Sequence, residues 1–153
     1  MQLQPFLIQT QTFLIQAQTG PFWSHFGAIF GTILATPVAC LAEEFSISFE
    51  WGDIKKCTTG YPNKVSNPIF TLNNVPEGTK FLKFKMKDKN APSYNHGGGK
   101  IEYFGESVIE PGAFKYKSPC PPGGKHTYEW TVTAQSKKSG GKLAVAKARK
   151  EYH

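Results

Sequence analysis

The stretch that most constrains this 153-residue chain is Ser118-Pro119-Cys120-Pro121-Pro122-Gly123-Gly124-Lys125 and the run that follows it. Proline fixes φ and glycine opens positive φ, so a segment this dense in both is a stiff loop. Directly after it, His126, Tyr128, Trp130, Val132 and Ala134 alternate with Thr127, Glu129, Thr131 and Thr133. A period of two predicts a strand with one face in a core and the other in water. His126 and Tyr128 fall on the core face at the first positions of that strand. An imidazole or phenol placed there needs a hydrogen-bond partner. Two readings stay open: the pair lines the mouth of a pocket, or it is plain buried structure that bonds to itself and to loop carbonyls.

The same alternation recurs upstream. Residues 45–51 read as a strand, and Phe70 and Leu72 mark a second, short one. Residues 80–88 are the clearest after these, with Leu82, Phe84 and Met86 inward and Phe81, Lys83, Lys85 and Lys87 outward. Residues 52–67 and 91–99 read as loops, 100–104 and 113–117 as further strands, and 110–112 as a turn. Beyond a glycine hinge, residues 142–152 are dominated by Ala and Lys and predict a helix anchored by Leu143. Short strands, Gly/Pro turns and one terminal helix predict an all-β, antiparallel β-sandwich with a short C-terminal helix. The Phe, Tyr and Trp residues of the part after residue 42 supply the buried area that so small a domain needs.

Charge divides the chain in two. No Asp, Glu, Lys or Arg precedes Glu43, and the formal net charge of +7 lies wholly in residues 43–153. Residues 26–42 are apolar, short for a membrane span of roughly 20 residues, and end in Cys40-Leu41-Ala42, an acceptable cleavage site after Pro37. Residues 1–42 therefore read as a leader or signal peptide, or as a low-complexity segment, and 43–153 as the domain. Phe6-Leu7-Ile8-Gln9-Thr10-Gln11-Thr12 is nearly repeated by Phe13-Leu14-Ile15-Gln16-Ala17-Gln18-Thr19, and the leader lacks the usual basic start. The expectation is export to a periplasmic or extracellular space without stable membrane insertion after cleavage. A retained anchor or a lipid attached at Cys40 are the alternatives. Cleavage leaves Cys57 and Cys120, an even pair that reads as a disulfide in an oxidising compartment.

Pro119-Cys120-Pro121-Pro122, Gly124, His126, Tyr128 and Trp130 together resemble a signature of the phosphatidylethanolamine-binding protein (PEBP) family, which includes the Raf kinase inhibitor proteins. Asn67-Pro68-Ile69-Phe70-Thr71-Leu72 and Val75-Pro76-Glu77-Gly78-Thr79 resemble its early strand and turn. Asp88-Lys89-Asn90-Ala91-Pro92 stands where the family carries Asp-Pro-Asp-Ala-Pro. The resemblance spans residues 45–134 in consistent order and is to a small bacterial-type member. It implies an antiparallel sandwich with peripheral helices and an anion site lined by Asp88, His126 and Tyr128. His96 matches the family's other pocket histidine, although Gly97 replaces the usual aromatic after it. The chain is short for the family and is expected to lack much of its C-terminal region. In the family the Cys120 equivalent also occurs in cytosolic proteins without a bridge.

The candidate ligand set is Asp88, Pro92, His96, Cys120, Pro121, Pro122, His126 and Tyr128, with Gly97, Gly98 and Gly99 as an anion nest. A carboxylate beside two imidazoles fixes their tautomers and holds one as a donor. Such a set suits a phosphate-like monoanion, free or as a phospholipid headgroup. His96-Gly97-Gly98-Gly99 also matches an esterase oxyanion loop, but the chain has no Gly-x-Ser-x-Gly. His96, His126 and Cys120 fit no closed zinc spacing, so neither metal nor cofactor is expected. Lys83, Lys85 and Lys87 have no aromatic platform beyond Phe81 and read as a solvated face, not a nucleic-acid surface. The expectation is a binding protein, not an enzyme. The alternative is an interaction protein that inhibits a kinase or peptidase through its loops.

Overall fold

The computed structural model describes residues 43–152; the leader expectation falls on residues outside these. In chain order the strands are β1 (Ser46–Glu50), β2 (Lys64–Ser66), β3 (Ile69–Asn73), β4 (Phe81–Asp88), β5 (Asn95–Glu102), β6 (Val108–Ile109), β7 (Lys115–Lys117), β8 (His126–Gln135) and β9 (Lys142–Tyr152). They form a three-stranded sheet β1-β3-β6, a two-stranded ribbon β2-β7 and a four-stranded sheet β5-β4-β8-β9. Every pairing is antiparallel. No helix among the described residues is long and apolar enough to cross a membrane.

The two larger sheets meet across one aromatic core. Phe70 of β3 is fully buried, 4.8 Å from the Phe84 ring of β4 and 5.2 Å, edge-on, from Trp130 of β8. Phe49 packs against Phe70 from β1 and Tyr116 against Trp130 from β7. Edge-to-face pairs of this kind add stabilisation beyond the area they bury. Asn67 closes one end of the core. Its amide donates to the Pro68 and Glu110 carbonyls, and its Oδ1 accepts from the Gly112 and Phe114 N–H groups. A fully bonded buried amide fixes the 110–114 turn against β3.

The expected C-terminal helix is instead strand β9, and no helix occurs among the described residues. Ala and Lys favour helix only weakly, and a long partner strand overrides that preference. β9 pairs with β8 along nearly its whole length. Ala144, Ala146 and Ala148 face the core, while Leu143, Val145, Lys147, Arg149 and Glu151 face away. Small residues suit this position because Trp130 and Val132 on β8 already fill the volume beneath.

The expected loop at 91–99 and strand at 100–104 are also corrected, since β5 starts at Asn95 and runs through all three glycines. For Gly98 and Gly99 the role is close packing. A Cβ on Gly98 would collide with the Phe84 carbonyl oxygen, and one on Gly99 with the Phe114 ring. The Gly97 N–H donates to Asn95 Oδ1 at 2.9 Å. β2 is a strand where loop was expected, and β6 lies in a stretch where no element was expected. Both are too short to show a period, and only their partners β7 and β3 define them. On the outer face of β8, Glu129 is 5% exposed because Arg149 and Lys147 fold over it, Arg149 Nη2 at 2.7 Å.

Trp130→Ala removes the ring that joins both sheets and should cost about 3–5 kcal/mol of stability. Lys85→Ala on the outer face should stay within about 0.5 kcal/mol. Urea denaturation of the two variants measures both.

Candidate functional site

The site forms where β4 ends and β8 begins. Asp88 is the last residue of β4 and pairs with Tyr128; His126 opens β8. The turn after Asp88 is clasped to β8: Lys89 N–H donates to the Thr127 carbonyl and Asn90 Oδ1 accepts from the Thr127 N–H, each at 2.8 Å. Asp88 itself is 3% exposed. Its Oδ1 accepts from the N–H groups of Asn90 at 2.8 Å and Ala91 at 3.0 Å, and its Oδ2 accepts from His126 Nδ1 at 2.7 Å. Burial alone would raise the Asp88 pKa. The bonds from His126, Ala91 and Asn90 outweigh it and hold the carboxyl below its ordinary 3.8. With Nδ1 engaged by Asp88, only Nε2 of His126 is left for a ligand.

His96 arrives from β5 and is buried. Its Nδ1 donates to the Lys117 carbonyl at 3.0 Å, so its tautomer is set by β7 and not by Asp88 as the sequence implied. Burial holds its pKa below 6.5, against the opposing effect of that carbonyl, so the ring is neutral and Nε2 is an acceptor. Tyr128 lies between the two imidazoles, its centroid 5.4 Å from His96 and 6.3 Å from His126. Burial first, then the Asp88 carboxylate, push its pKa upward, so it stays a phenol.

These groups line a cleft of about 190 Å³. Asp88, His96, Cys120, Pro122, His126 and Tyr128 are all brought to it. Pro92 and Pro121 are not: Pro92 is exposed in the turn and Pro121 is buried behind the wall. Gly60, Pro62, Ala91 and Tyr94 complete the lining and were missed. The signal for the first two was the cysteine pair. Cys57 and Cys120 are joined by a disulfide with Cα atoms 4.6 Å apart, which brings the 57–62 segment against the proline loop. Tyr94 had no such signal; it packs edge-on against His96 at 4.7 Å. Among the described residues no cluster of three or more His, Cys, Asp or Glu is placed to hold a metal ion. Cys120, once considered with the two histidines, has its sulfur in the disulfide.

No family model matches the sequence, and no curated protein does. Solved structures do. A putative phosphatidylethanolamine-binding protein homologue of Chlamydia trachomatis aligns with a TM-score of 0.51 at 15% identity, over 72% of this chain and 97% of its own. YbcL of E. coli, described as a new member of the mammalian PEBP family, aligns with a TM-score of 0.54 at 16% identity, over 72% and 98%. This chain has the PEBP fold. At such identities the likeness concerns the fold alone, and it accords with the resemblance read from the motifs. Against these two PEBP structures, the expected shortfall on the C-terminal side is not seen.

Two shifted groups of the site give acid sensitivity, His96 beginning at the higher pH. Unfolded His96 takes up a proton near 6.5, while the folded ring resists it, so stability falls as pH drops from 6.5 toward the lowered folded value. Asp88 is ionised in the fold below 3.8, so its contribution is lost as pH falls from there through its folded value. His96→Gln keeps a donor for the Lys117 carbonyl but cannot titrate. It should flatten the first limb and leave the second, as read by urea denaturation at a series of pH values.

Proposed function

We propose that this chain is a non-catalytic binding protein whose cleft takes a phosphoryl group, free or as a phosphomonoester headgroup. The observation that carries this reading is the Asp88–His126 pair, 2.7 Å long, opening on the same cleft as the Tyr128 phenol and the neutral His96 ring. A phosphoryl monoanion is both acceptor and donor. Where it keeps a P–OH, as inorganic phosphate and a phosphomonoester do, its oxygens accept from Tyr128 and its P–OH donates to His96 Nε2, with His126 Nε2 facing the same cleft. A fully ionised carboxylate has no proton to give His96, so the set favours phosphoryl over carboxylate. The PEBP fold, whose family is named for a binding activity, supports the reading.

An entering anion also meets the Asp88 charge, already matched by two backbone N–H groups and one imidazole. Calorimetry with inorganic phosphate should show weak binding, since one small anion makes few contacts. Affinity should decrease as pH rises, because the phosphate loses the P–OH from which His96 Nε2 accepts. His126→Ala and Tyr128→Phe should each weaken binding by about tenfold, the value of one charge-assisted or buried hydrogen bond. Lys85→Ala should not change it. Equal loss from Lys85→Ala would show diffuse surface charge instead.

The disulfide and the leader motivate the further proposal that the protein works in an oxidising space outside the cytoplasm. Mass spectrometry of exported, unreduced, alkylated protein tests both. A chain starting at Glu43 with no labelled thiol is expected. Retained upstream residues would refute cleavage, and labelled Cys57 and Cys120 would refute the bridge.

A further inference from the structure

A second hollow adjoins the cleft. It measures about 370 Å³ and shares Pro62 and His96 with it. Its charged lining is Lys64, Lys115 and Lys117, with no Asp or Glu. All three lysines stand on the exposed face of the β2-β7 ribbon. Lys64 pairs directly with Lys117, so their Cβ atoms are roughly 5 Å apart. Lys115 is two residues from Lys117, or about 7 Å along the strand. None of the three joins an ion pair among the described residues. Like charges directly opposite on a sheet repel one another, and their flexible stems let the ammonium groups converge on one anion.

Lys117 links this hollow to the cleft. Its carbonyl fixes His96, and its ammonium lies 5.1 Å from the centroid of Tyr94, the ring that walls the cleft. A cation held over a ring at the boundary points to a ligand that continues past the imidazoles. We propose that the lysine hollow is a second anion subsite, so that the protein binds an extended molecule with two anionic groups. The phosphoryl sits in the cleft and the second anion among Lys64, Lys115 and Lys117. This rests on the reading of the cleft as a phosphoryl site and extends it.

The test is calorimetry with methylphosphonate as the single-anion probe and alkane bisphosphonates of increasing length. The best bisphosphonate should bind at least about tenfold tighter, a modest part of what linking two sites can give. Combined Lys64→Gln, Lys115→Gln and Lys117→Gln should erase that gain and leave methylphosphonate affinity nearly intact. Combined Lys83→Gln, Lys85→Gln and Lys87→Gln removes the same charge from the outer sheet face and should keep the gain. Methylphosphonate binding that needs His126, with no gain for any bisphosphonate, overturns the second subsite and leaves the cleft standing. No His126-dependent binding of either probe overturns the cleft and the subsite together. Equal loss in the two triple variants overturns the subsite in favour of diffuse charge.

Discussion

A carboxylate stays ionised in a protein interior only when the atoms around it replace the water it has lost. Asp88, at the buried end of β4, meets that demand with two backbone N–H groups and the His126 ring. Each partner is a geometric constraint as well. The N–H groups of Asn90 and Ala91 shape the turn after β4, and that turn then clasps the start of β8. The imidazole is oriented by Nδ1, which decides which nitrogen a ligand can meet. Burial, with the same charge directly opposite on β4 adding to it, pushes the Tyr128 pKa upward. Turn and ring orientation thus depend on one side chain.

The walls around this group are anchored independently. β4 and β8 are pinned to the opposite sheet by Phe70 between Phe84 and Trp130. β5 brings His96 to β7 by a bond to a backbone carbonyl, with Gly98 and Gly99 allowing the close approach to Phe84 and Phe114. The 57–62 segment has only the short strand β2 after it, and the Cys57–Cys120 bridge ties it to the proline loop. A closed loop of that length is worth about 4 kcal/mol in the chain-entropy account. The polar set therefore rests on three scaffolds, and its two imidazoles have different chemistry. His126 is coupled to a carboxylate, while His96 is held neutral by burial.

Where the sequence was read well, the pattern was long and one-sided. β8 was delimited correctly because its core-face residues run unbroken from His126 to Ala134, and β4 because Leu82, Phe84 and Met86 alternate with lysines. Asp88, His126 and Tyr128 could be placed for the same reason, being polar residues on core faces at strand ends. The residues read wrongly had a local preference that a distant partner overruled. Residues 142–152 have helix-forming composition, but β8 offered an open edge of matching length. Gly98 and Gly99 looked like loop because the atoms that require them, on Phe84 and Phe114, are distant in sequence.

Local pattern by itself determined that this chain builds short antiparallel strands around an aromatic core, and that a carboxylate, an imidazole and a phenol end up on the inner side of strand ends. Those follow from the pleat, whose period of two is a property of the backbone. Only the tertiary structure decided which groups meet. It gave Asp88 to His126 and left His96 to the Lys117 carbonyl; it drew Gly60, Pro62 and Tyr94 to the cleft and set Pro92 and Pro121 aside. It also laid a lysine ribbon beside them, from two segments some fifty residues apart in sequence. Alternation says which way a side chain points along its own strand. It carries no information on what another strand, paired through non-local hydrogen bonds, places opposite.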